Sequence, residues 1–99
     1  MTAQPAQEET AVNWPAGETL SVPERMIVAP TTGVFHRLKG HHQVNGGDVV
    51  SRGEVIGIVQ SLGVSTPIQS PFAGLLVALL AFEGERVRPG QPVAWVRVA

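Results

Sequence analysis

Residues 55–68 read Val55-Ile56-Gly57-Ile58-Val59-Gln60-Ser61-Leu62-Gly63-Val64-Ser65-Thr66-Pro67-Ile68, two runs rich in β-branched residues on either side of Leu62-Gly63. β-Branched side chains suit a pleated sheet. A two-residue link ending in glycine suits a hairpin turn, whose second central residue takes φ > 0. The stretch therefore predicts a β-hairpin with its tip at Leu62-Gly63. Outward from that hairpin the chain repeats itself. Ala29-Pro30-Thr31-Thr32-Gly33-Val34 returns as Ser70-Pro71-Phe72-Ala73-Gly74-Leu75, and Gly47, Val50, Gly53, Ile56 and Val59 return as Gly84, Val87, Gly90, Val93 and Val96. The first set recurs 41 residues on and the second 37, which places a four-residue insertion between Gly33 and Gly47. Two copies of one β motif joined by a hairpin predict a barrel with a pseudo-twofold axis. The hairpin is expected to project near that axis.

Strands are expected at short, regular intervals, as in a sandwich or barrel. They fall over Met26–Ala29, Val34–Leu38, Val49–Val50, Val55–Gln60, Ser65–Gln69, Leu75–Ala81, Arg86–Val87 and Val93–Val98, with Lys39–Gln43 in the inserted loop. Pro67 cannot donate a ladder bond, so its strand is expected at an edge. No segment carries a helical period: Leu75–Leu80 is apolar enough for a buried helix, but Gly74 and the repeat favour strand. The expected class is all-β.

The outer bounds agree. Ninety-nine residues, 43% hydrophobic, with Gly 11 and Pro 8, allow one turn-rich domain with a modest core. With no cysteine, neither disulfides nor thiolate metal sites are available. Residues 1–22 lack apolar periodicity and are expected to form a flexible tail, with Trp14 its one large aromatic, ahead of a domain over residues 23–99. No basic-then-apolar leader or membrane-length apolar run is present, so a cytoplasmic protein without membrane contact is expected. The net charge of −1 divides into −4 before Arg25 and +3 from there on. The basic residues are scattered and no aromatic ladder accompanies them, which speaks against nucleic acid as a partner.

The ordered pieces A-P-T-T-G-V-F-H-R (Ala29–Arg37), G-D-V-V-S-R-G-E-V-I-G-I-V (Gly47–Val59), S-P-F-A-G (Ser70–Gly74) and E-G-E-R-V-R-P-G-Q-P-V (Glu83–Val93) resemble the biotinyl/lipoyl carrier domains. The likeness is greatest to the biotin carboxyl carrier protein of acyl-CoA carboxylases. Those carriers show A-P-x-x-G, then G-D-x-V-x-x-G-x-x-L-x-x-I-E, a hairpin, a second A-P-x-x-G and E-G-x-x-V-x-x-G-x-x-L. The resemblance implies a flattened barrel of two four-stranded antiparallel sheets. It also implies a hairpin E-A-M-K-M whose lysine carries biotin or lipoate. Here the matching residues are Gln60-Ser61-Leu62-Gly63-Val64, with Gly63 at the lysine position. Glycine has no amine to acylate, so no covalent biotin or lipoate is expected. Leu62, Gly63 and Val64 remain as an interaction tip. Lys39, the only lysine, sits in the inserted loop, where some biotin carriers place a longer "thumb".

Other candidates are few. His36, His41 and His42 lie within seven residues and could serve as acid, base or metal ligand. In extended chain, however, His41 and His42 would point to opposite faces, and no metal site is expected. Asp48 is expected to bond backbone N–H groups in the G-D turn, and Gly46-Gly47 is turn chemistry. Arg86 and Arg88, two apart, are expected on one face. No nucleophile elbow, P-loop or dinucleotide fingerprint is present.

Two functional readings follow. One is an armless carrier barrel acting as a non-catalytic module, with protein partners such as carboxylase or biosynthetic-enzyme subunits. The other is a repurposed barrel that binds or transforms a small molecule with His36, His41 or His42, walled by Trp14 or Trp95.

Overall fold

Eight strands and one 3-10 turn make up the computed structural model, which describes residues 23–98. The expected tail, with Trp14, lies outside the described residues. In chain order the elements are β1 (Glu24–Val28), β2 (Gly33–Arg37), a 3-10 turn (Gly40–His42), β3 (Val49–Val50), β4 (Val55–Ser61), β5 (Val64–Gln69), β6 (Gly74–Leu79), β7 (Arg86–Val87) and β8 (Pro92–Val98). The expected sixth strand ends two residues early, at Leu79 rather than Ala81. The fold is all-β, with two four-stranded antiparallel sheets ordered β1-β8-β6-β3 and β5-β4-β2-β7. Pro67 does lie on an edge strand, β5.

The internal repeat is visible bond by bond. Ala29 N–H donates to Gln91 O at 2.9 Å, and 41 and 37 residues away Ser70 N–H donates to Glu54 O at 2.8 Å. Phe35 N–H donates to Glu85 O as Leu76 N–H does to Asp48 O, both at 2.8 Å. Asp48 accepts the Asn45 N–H on its carboxylate, as Glu85 accepts that of Phe82. The operation that relates the halves exchanges β1 with β5, β4 with β8, β2 with β6 and β7 with β3, so each sheet maps onto the other. It also carries the Ser61–Val64 closure of the hairpin onto the Pro23–Val98 pairing. These two sites lie in different sheets. The hairpin is therefore off the pseudo-twofold axis, not near it as expected, because a feature without its own internal repeat has to map onto a different place.

The core obeys the same symmetry. Ile27 and Ile68, Phe35 and Leu76, Val44 and Ala81, Val50 and Val87, Ile56 and Val93, and Val59 and Val96 are buried pairs of mates between the sheets. Each buried Val, Ile, Leu or Phe contributes about 1.5–3 kcal/mol relative to exposure. Ala29 has a polar mate, Ser70, which is 1% exposed. Its hydroxyl donates to Phe72 O at 2.5 Å and accepts the Phe72 N–H at 3.2 Å, so the buried group is satisfied within its own turn. A β-carbon on Gly33 would collide with the Gln60 carbonyl, and one on Gly74 with the Arg97 carbonyl. Glycine is what lets β2 approach β4, and β6 approach β8.

Two departures break the symmetry. Between Phe35 and Asn45 the chain is four residues longer than between their mates Leu76 and Phe82, and the 3-10 turn sits in that excess. β6 also carries a bulge between Leu76 and Ala78, where β2 runs in continuous register. Among the described residues no helix is long and apolar enough to cross a membrane.

Candidate functional site

The hairpin forms as its residue types require. β4 and β5 pair from Gly57–Ile68 to Ser61–Val64, leaving Leu62 and Gly63 as the link. Leu62 takes φ +51° and Gly63 φ +80°, the left-handed pair of a type I′ turn. Gly63 adopts this freely, and open space surrounds it: a β-carbon there would meet nothing within 4 Å. Leu62 is the only non-glycine residue with positive φ among the described residues. A leucine in this region costs about 1–2 kcal/mol. It is also 100% exposed, and Val64 beside it is 62% exposed. The tip thus presents apolar side chains in a strained, solvent-facing turn. No amine is carried by Leu62, Gly63 or Val64.

Lys39, distant from the hairpin in sequence, comes close to its stem. The connection after β2 lies over the outer face of its sheet, where Lys39 shares a groove with His36, Arg37, Leu38, Ile58, Gln60 and Ser65. Buried Val44 and the Arg37 Nη2–Asn45 Oδ1 bond, 2.8 Å, anchor the far end of that connection. A second groove on its other flank is lined by Lys39, His41, His42, Asp48 and Glu54.

The three histidines do not act together. His36 faces outward, because its neighbour Phe35 faces the core. Its Nδ1 lies 2.5 Å from Glu83 Oε2, and the other oxygen of Glu83 accepts the Arg37 N–H at 2.7 Å. That backbone bond first, and His36 second, hold the Glu83 carboxyl below the usual glutamate range, against the opposing effect of desolvation. His41 and His42 do not diverge as expected. The chain there is helical rather than extended, so the two rings lie 4.1 Å apart and tilted by 41°. Among the described residues no three His, Asp or Glu side chains converge as metal ligands. Trp95 stands between buried Ala94 and Val96 on β8 and faces out from the opposite sheet. It therefore cannot wall a pocket containing His36.

The remaining expectations concern turns and charge. Asp48 Oδ2 accepts the Asn45 N–H at 2.8 Å, the backbone role expected of it. Arg86 and Arg88 line one recess with Thr32 and Val87. Glu83 was not among the sequence candidates. Its signal lay in the second-half E-G-E-R motif, but its reach to the end of β2 exists only once β6 has led the chain across to the other sheet.

The comparisons with known proteins agree with this geometry. No curated protein matches the chain. Among solved structures, the Kluyveromyces lactis urea carboxylase is similar in fold, with a TM-score of 0.64 at 18% identity over 92% of this chain. The chain spans 7% of the length of that enzyme. The family model of the biotin/lipoyl domain, described as "Biotin-requiring enzyme", matches residues 25–96. Sheet order, repeat and hairpin are thus accounted for together: the chain belongs to the biotin/lipoyl domain family.

Proposed function

We propose that this domain is a biotin carboxyl carrier-like protein that keeps the carrier's barrel without its arm. It serves as a non-catalytic interaction or accessory module for acyl-CoA carboxylase or related biosynthetic subunits. The observation that carries the reading is the tip Leu62-Gly63-Val64, where a turn of the carrier kind is intact and no amine is present. Gly63 stands where the carriers' attachment lysine would stand, and glycine cannot form the amide. Lys39 lies in a connection beside the stem rather than at a turn tip. Strain at a fully exposed leucine is the kind of local cost that persists where a contact needs it. Burying that side chain against a partner stabilises a complex by about 2 kcal/mol.

The test is incubation with a biotin ligase, biotin and ATP, followed by intact-mass measurement. The native chain should gain no mass, while Gly63→Lys serves as the positive control. A biotin adduct on the native chain restores an ordinary carrier role and overturns the proposal. Capture assays with carboxylase subunits then test the partner, with Leu62→Asp as the variant that should lose capture.

A second reading, small-molecule binding, draws on the groove lined by His41, His42, Lys39, Asp48 and Glu54. Replacing His41 and His42 by Ala should abolish any ligand binding there; unchanged binding removes this reading.

A further inference from the structure

The two sheets have comparable edges, and one residue makes them different. Each sheet has one long outer strand, β1 in one and β5 in the other. These are symmetry mates, and Met26 of β1 stands where Pro67 stands in β5. In an antiparallel pair, residues alternate between those bonded to the neighbour and those whose N–H and C=O point away from it. The two-residue turn closes on the bonded pair Ser61–Val64. Ile58–Pro67 then falls on a non-bonded pair, so the nitrogen of Pro67 faces the outside of the sheet. On the other sheet, Val98 N–H donates to Pro23 O at 2.9 Å, which makes Pro23–Val98 a bonded pair. Counting from there, Met26 opposite Trp95 is non-bonded to β8, and its N–H faces outward. Among the described residues no strand pairs with that edge. Proline closes β5 to strand addition; methionine leaves β1 open.

We infer that β1 is a homodimerisation edge, pairing antiparallel with β1 of a second copy about a twofold axis at Met26. A second copy fits for three reasons. First, such a contact joins an edge to itself and is finished at two chains, because β5 is closed by Pro67 and the outer strands β3 and β7 are two residues long. Second, charge and length together select the register. Axes at Glu24 or Arg25 set like charges opposite each other, and axes at Ile27 or Val28 leave part of β1 unpaired, whereas the axis at Met26 pairs all five residues of the strand with Glu24 opposite Val28 and Arg25 opposite Ile27. Third, Met26 and Val28 are 48% and 44% exposed, and this pairing brings the two copies of Met26 together beside Trp95. One strand pair is a small contact, below the roughly 1,200 Å² of standard interfaces, so dimerisation is expected at micromolar concentration or above.

Sedimentation velocity of the full chain over a range of concentrations tests the inference, together with Met26→Pro and Pro67→Met. Met26→Pro copies the residue already accommodated at the mate position and removes no bond to β8. The native chain should pass from monomer to dimer, Met26→Pro should remain monomeric, and Pro67→Met should assemble beyond the dimer. A native chain that stays monomeric, or a folded Met26→Pro that dimerises as well as the native one, overturns it. Should Met26→Pro not fold, amide exchange decides: the Met26 N–H of the native chain should slow by about tenfold or more as the dimer fills. Protection of Met26 that does not depend on concentration means the chain covers its own edge, and this also overturns the inference.

Discussion

The ring of Phe35 fills the space that a β-carbon on Gly57 would need: such an atom would lie 2.7 Å from Cε1 of the ring. The mates of these residues are Leu76 and Ala94, so the half with the larger core side chain has the smaller residue beneath it. Gly57→Ala is therefore expected to destabilise the fold by about 1–3 kcal/mol through overpacking. In a Phe35→Leu background, which copies the other half, the same alanine should be tolerated. Denaturant unfolding of the four proteins checks this, with an expected coupling above about 0.5 kcal/mol.

Leu62 holds a left-handed backbone that asparagine adopts more readily, and Asn-Gly is the favoured type I′ pair. Leu62→Asn should raise stability by about 1 kcal/mol while removing the exposed apolar tip. Thermal unfolding reads the first effect and partner capture the second. A variant both more stable and less able to bind separates the role of this side chain from the needs of the fold.

Gly63→Lys meets no neighbour, so its only cost is the positive φ, about 1 kcal/mol. The variant is expected to fold and to accept biotin from a ligase. Its melting temperature and intact mass measure both. A folded Gly63→Lys that gains no mass would show that the ligase needs more of the carrier hairpin than its lysine.

The Glu83 carboxyl, held below the usual range by the Arg37 N–H and then by His36, ties the β6–β7 connection to β2. A carboxylate whose folded pKa is lowered contributes stability that is complete above its unfolded value, about 4.3. That contribution is lost as pH falls through the lowered folded value. The native chain should therefore lose stability relative to Glu83→Gln across this acid window, and the difference between them should level off at higher pH. Urea midpoints measured at several acid pH values test the sign.

Much of this fold was legible because sequence repetition survives wherever backbone does the same task twice. Gly33 and Gly74 recur because both sit against a carbonyl of the neighbouring strand. Ile27 and Ile68 recur because both close the core. What was not legible depends on long-range placement. The 3-10 turn that brings His41 and His42 together follows from closing a four-residue excess, not from the propensities of Gly40-His41-His42. The bulge at Val77 has no counterpart in β2 and so left no trace in the repeat. Lys39 comes to line a groove with the hairpin stem, and Glu83 bonds the end of β2, through connections whose course only the sheets decide. At the tip the residues themselves were informative: Leu62-Gly63 specified the turn.

The bond from Val98 to Pro23 occupies the place that the hairpin closure occupies in the other half. An Asn-Gly link joining residue 98 to residue 23, combined with Pro23→Val to supply the N–H that its mate Val64 gives in the hairpin, should therefore be accepted as a second tight turn. New ends could then be opened between Leu62 and Gly63. The resulting circular permutant should refold to the same barrel, with the two halves having traded the ends of the polypeptide for the loop.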